Sequence, residues 1–128
     1  MSGYLRTRLV PPLNIMLPVG AEVRQQYQVP ERLPVRVSCS LHPWESAWLV
    51  LRDDPYMAVS DEDGKFEIKN LPTGKLTFQV WHEHAGYVTR VKTAGKLSAW
   101  TRGRVELPVK AGDNDLGELV LPSDLFAK

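Results

Sequence analysis

From Lys75 to His82 the residues alternate in character without a break. Leu76, Phe78, Val80 and His82 fall on one face of an extended chain, and Thr77, Gln79 and Trp81 fall on the other. This period of two marks a strand and rules out a helix, whose faces repeat about every 3.6 residues. The same period recurs at Val35, Val37 and Cys39, with Arg36 and Ser38 facing away, and at Val105, Leu107 and Val109. Between these runs stand turn formers: Asp53-Asp54-Pro55, Asp61-Glu62-Asp63-Gly64, Leu71-Pro72-Thr73-Gly74 and Ala111-Gly112-Asp113-Asn114-Asp115. Strands joined by tight turns, with no helix of ordinary length, predict an all-β antiparallel sandwich.

At 128 residues the chain is long enough for one two-layer core and too short for two. Pro11, Pro12 and Pro18 interrupt residues 1–20, which read as an extended N-terminal arm, leaving 21–128 as a single β-sandwich domain. A first strand is expected over 22–28. The run Ser46-Ala47-Trp48-Leu49-Val50-Leu51, apolar on both faces, predicts a central strand. Strands over 56–60 and 65–69 should flank a hairpin loop in which Gly64 takes a positive φ. Residues 85–103, with Gly86, Gly95 and Gly103 and no clear period, predict a long excursion holding at most a short strand near Tyr87 to Val91. The final strand is expected over 116–121, and Cys39, Phe66, Ile68, Phe78 and Val80 are the expected core.

Sixteen basic and fifteen acidic residues give a net charge of +1, too little for a nucleic-acid or anionic-membrane footprint. No apolar run is long enough to cross a bilayer, and one cysteine excludes an internal disulfide framework. The partner classes that remain are proteins and glycans. Trp44, Trp81 and Trp100 are candidate stacking aromatics for a carbohydrate, although tryptophan serves more often as core. Ser60 and Ser98 stand in no nucleophile-elbow context, so no enzyme is expected. A metallohydrolase built on His82, Glu83 and His84 conflicts with strand parity, which turns Glu83 away from both histidines. The acidic loop at Asp61 lacks the later bidentate glutamate of a calcium loop.

All three histidines and the only cysteine lie between Cys39 and His84. Cys39-Ser40-Leu41-His42-Pro43-Trp44-Glu45 resembles the copper loop of amicyanin-type cupredoxins, in which Cys, His and Met stand at a C-x-x-H-P-x-M spacing. Glu45 occupies the methionine position. It is a hard, charged donor that favours Cu(II) or Zn(II) over fast redox cycling. A cupredoxin also draws a histidine from an earlier strand, and here none precedes His42. The candidate metal set is therefore Cys39, His42, His82 and Glu45, with copper or zinc as the ion and electron transfer conditional on a complete set. Against it stands the reading of Cys39 as a small buried apolar residue at a strand end.

Residues 58–78, Ala-Val-Ser-Asp-Glu-Asp-Gly-Lys-Phe-Glu-Ile-Lys-Asn-Leu-Pro-Thr-Gly-Lys-Leu-Thr-Phe, resemble the repeat motif of carboxypeptidase-regulatory-like, transthyretin-like β-sandwiches. Taken together, the two segments resemble secreted bacterial proteins that join a cupredoxin-like loop to this motif. The resemblance spans roughly residues 25–120 and implies a Greek-key sandwich, a non-catalytic binding or structural module, and a periplasmic or secreted location. Met1 to Arg8, followed by Pro11-Pro12, lacks the apolar segment of a secretory signal. A mature or truncated form and true loss of the first copper histidine both stay open.

Overall fold

The computed structural model describes residues 2–6, 13–31 and 33–127, with side chains from Asn14 onward. The fold is all-β: among the described residues every strand pairing is antiparallel and the helical structure is two short 3-10 turns, at Thr101–Gly103 and Ser123–Phe126. The chain divides into two compact units, Met1–Met57 and Ala58–Lys128.

The first unit is a four-stranded sheet made of β1 (Ser2–Arg6), β2 (Leu13–Met16), β3 (Val35–Cys39) and β4 (Ser46–Leu49), in the order β2-β1-β3-β4. The residues expected as an arm thus supply two strands. Pro18 follows the end of β2 and so breaks no ladder, while Pro11 and Pro12 lie outside the described residues. The 22–28 segment forms no strand. β3 follows its alternation, with Val35 and Cys39 buried and Arg36 exposed. Among the described strands β4 pairs with β3 and stands at the edge of the sheet, and Trp48 and Val50 keep solvent exposure. After β4, Arg52 donates to the Asp54 carboxylate at 2.7 Å, and the Tyr56 amide donates to the same carboxylate at 3.0 Å. These two bonds hold the Asp54 carboxyl below the usual carboxylate range.

In the second unit β5 (Gly74–Gln79) pairs with β10 (Arg104–Val109) over six residue pairs. β6 (Trp81–His82) pairs with β7 (Gly86–Tyr87), and β8 (Arg90–Thr93) lies between β9 (Lys96–Ala99) and β11 (Leu119–Val120). The excursion expected over 85–103 therefore holds three strands. Ala94 and Gly95, with φ of 49° and 81°, form the two-residue turn between β8 and β9. Positive φ at both central positions suits the right-handed twist of a hairpin. By contrast, 56–60 and 65–69 form no ladder. The loop between them closes as expected, with Gly64 at φ 77° and the Asp61 carboxylate accepting from the Asp63 and Lys65 amides. Val59 and Phe66 stay exposed, at 88% and 49%, and a two-stranded ribbon with no buried face is marginal. Phe66 is thus not core, Ile68, Phe78 and Val80 are half-buried, and the fully buried side chains are Val88 and Val91.

Gly103 ties this unit together. Its carbonyl accepts from the Val80 amide at 2.9 Å, and the Val80 carbonyl accepts from the Val88 amide at 3.0 Å. A Cβ on Gly103 would stand 2.3 Å from the Val80 oxygen and 3.2 Å from the Val88 nitrogen. Gly112 has a similarly positive φ but open space around it. Gly103→Ala should therefore cost on the order of 2–4 kcal/mol, with Gly112→Ala costing clearly less, as read from urea unfolding midpoints. Equal losses would mean that strain in φ alone, and not backbone contact, sets the cost. Separately, Arg52→Ala should raise the Asp54 pKa, observed by NMR titration of the carboxyl. Because folding depresses that pKa, the bond contributes stability above the unfolded value and loses it as pH falls below about 4.

Candidate metal centre

Cys39 is the last residue of β3 and is 4% exposed. It faces Gly3 of β1 in the sheet register, and its amide donates to the Glu45 carbonyl at 3.2 Å. The six residues from Ser40 to Glu45 thus close between two paired strands, because Ser38 and Ser46 are already partners. Within the loop the Glu45 amide donates to the His42 carbonyl at 2.8 Å, which makes His42-Pro43-Trp44-Glu45 a hydrogen-bonded β-turn. Pro43 sits at its second position, where a fixed φ favours the turn. A β-turn brings its first and last residues together, so His42 and Glu45 project from neighbouring points beside Cys39.

The three donors converge on one nitrogen. His42 Nδ1 lies 3.9 Å from the Cys39 Sγ and 3.2 Å from the Glu45 Oε2, and the set lies within 4.8 Å in every pairing. A nucleophile-base-orienter relay uses opposite ring nitrogens for thiol and carboxylate. Here both approach Nδ1, so the three donors form a cluster and not a relay. A tetrahedral ion about 2.0–2.3 Å from each donor sets donor separations of roughly 3.3–3.8 Å. The observed spacing reaches that range with small side-chain adjustments, so thiolate, imidazole and carboxylate fit zinc or copper(II). The thiol lies on the buried side, while the His42 and Glu45 side chains are 47% and 45% exposed. The Trp44 ring stands beside the His42 ring, with centroids 5.2 Å apart and planes tilted by 37°, and Trp44 is 77% exposed.

Of the four ligands named from the sequence, Cys39, His42 and Glu45 come together in the first unit. His82 belongs to the second, at the end of β6. There its Nδ1 accepts from the His84 amide at 3.0 Å and the Ala85 amide at 3.5 Å, and its ring meets Phe126 edge-on at 4.8 Å. Only Nε2 of His82 is free of that turn. Trp81 and Trp100 are half-buried, leaving Trp44 as the most exposed of the three stacking candidates. The Pro43-Trp44 turn, which brings His42 and Glu45 together, was legible in the sequence as a bend. Its hydrogen bond back to His42 has no separate sequence signal.

No helix among the described residues is long and apolar enough to cross a membrane. Comparison with protein-family models, curated proteins and solved structures returned no match.

The role of His82 as a turn acceptor has a direct test. His82→Ala should loosen the β6–β7 turn and speed hydrogen exchange of the His84 and Ala85 amides, while His84→Ala should leave both amides protected. Unchanged exchange in His82→Ala would remove the structural role assigned to its Nδ1.

Proposed function

We propose that this chain is a non-catalytic β-sheet protein that binds one divalent transition ion, zinc or copper(II), through Cys39, His42 and Glu45. The observation that carries this reading is the convergence of three chemically different donors on a single turn, within 4.8 Å of one another. Most of the ordering cost is met by the hairpin itself, because the Cys39–Glu45 and His42–Glu45 backbone bonds hold the loop in shape. The bound ion would supply cross-linking of the β3–β4 hairpin through its two ends. The carboxylate disfavours Cu(I), so electron transfer ranks below simple metal retention. An extracytoplasmic location and a Greek-key sandwich of the transthyretin-like or cupredoxin-like kind belong to the same proposal. Both rest on the sequence resemblance, and antiparallel pairing agrees with the second.

Anaerobic titration of the reduced protein with cobalt(II) tests the site. A thiolate-to-cobalt charge-transfer band should grow to one equivalent, disappear in Cys39→Ser, and be displaced by zinc. Glu45→Ala should weaken binding by at least the 10- to 100-fold typical even of second-shell losses. A wild-type protein that gives no charge-transfer band would end the metal reading.

A further inference from the structure

We infer that the metal site keeps one coordination position for an external ligand, and that the ligand is a small neutral heteroaromatic nitrogen donor held beside Trp44. The inference rests on the metal reading above and extends it.

Three observations lead to it. First, one hairpin supplies three donors, Cys39 from the end of β3 and His42 and Glu45 from the loop, and no fourth Cys, His, Asp or Glu joins the group among the described residues. Zinc and copper(II) sites normally have at least four ligands, and sites with three protein donors leave the fourth to a molecule from outside. Second, the donors differ in exposure. The thiol is buried, while His42 and Glu45 are each nearly half exposed, so the unfilled position lies on the solvent side of the loop. Third, the most exposed tryptophan of the chain stands next to that side. Trp44 touches the donor imidazole with one part of its ring and presents most of its surface to solvent, and Leu41, in the same loop, is also exposed.

Charge then selects the class of ligand. A thiolate and a carboxylate cancel a divalent cation, and His42 adds no charge. An anionic fourth donor would leave the group with a net negative charge beside a buried sulfur, whereas a neutral donor keeps it balanced. Among neutral donors, a flat heteroaromatic ring gains an additional contact by stacking on Trp44. Imidazole is the simplest member of that class.

The test uses the full chain loaded with cobalt(II), titrated with imidazole and, separately, with azide. Imidazole should shift the visible cobalt bands along a saturable curve while the thiolate band persists, and it should bind more tightly than azide. On the cobalt-saturated protein, Trp44→Ala should weaken imidazole binding about three- to tenfold, the size of one aromatic contact, over and above any change in cobalt affinity measured separately. Trp44→Phe should restore most of the loss. Cobalt bands that do not respond to imidazole would overturn the open position while leaving the metal reading intact. Tighter binding of azide, or an unchanged imidazole affinity in Trp44→Ala, would overturn the ligand class. Failure of cobalt itself to bind would be a separate result and would remove the underlying site.

Discussion

The hydrogen bond from the Cys39 amide to the Glu45 carbonyl, 3.2 Å long, fixes where the β3–β4 hairpin ends and where its loop begins. Cys39 is held on its other side by the register with β1, so its side chain has little freedom in direction. Given that anchor, the length of the loop decides the rest. Six residues contain one β-turn with Pro43 in its second place, and the turn returns Glu45 to the side of His42. Shortening or lengthening the loop by one residue would rotate one donor away from the other two. The clustering of the three donors is therefore a property of the backbone first and of side-chain choice second.

The second unit depends on close backbone approach more than on a large core. Its fully buried side chains are two valines, and the Gly103–Val80–Val88 hydrogen-bond chain crosses between segments where side-chain packing is thin. Such a junction tolerates no Cβ at its closest point. The ion pair of Arg90 with Asp124 and the edge-on contact of Phe126 with His82 tie the last 3-10 turn back to the strands. These contacts are local and partly exposed, and each contributes modestly.

Alternation located β3 and β10 within a residue, because in each one face is more buried than the other, whereas the single strand expected over 75–82 divides at Val80 into β5 and β6, which pair with different partners. Gly64 was legible for a similar reason: an acidic run ending in glycine has few other conformations. What was not legible involves features without a composition signal. Ala94 takes a conformation usually given to Asn or Gly, so the β8–β9 hairpin carries no turn signature. The apolar run around Trp48 resembled a central strand, yet strand order depends on which segments pair at a distance, and β4 ended at an edge. The three clustered donors were all named from the resemblance of the Cys39–Glu45 segment to a cupredoxin copper loop. The bend at Pro43-Trp44 was legible as well, but the backbone hydrogen bond from Glu45 to His42 that closes it was not.

The segment from Val59 to Lys69 has the composition of a hairpin but no ladder, and Val59 and Phe66 face solvent. In a neutral sequence, an extended ribbon of this kind would recruit the same ribbon from another molecule. Here Asp61, Glu62, Asp63 and Glu67 outnumber Lys65 and Lys69, so two copies brought together would meet with like charge. Asp61 also closes the loop through the Asp63 and Lys65 amides, while the remaining charges act as gatekeepers of colloidal behaviour. Their range shortens as ionic strength rises, which makes salt concentration a determinant of whether this chain stays monodisperse.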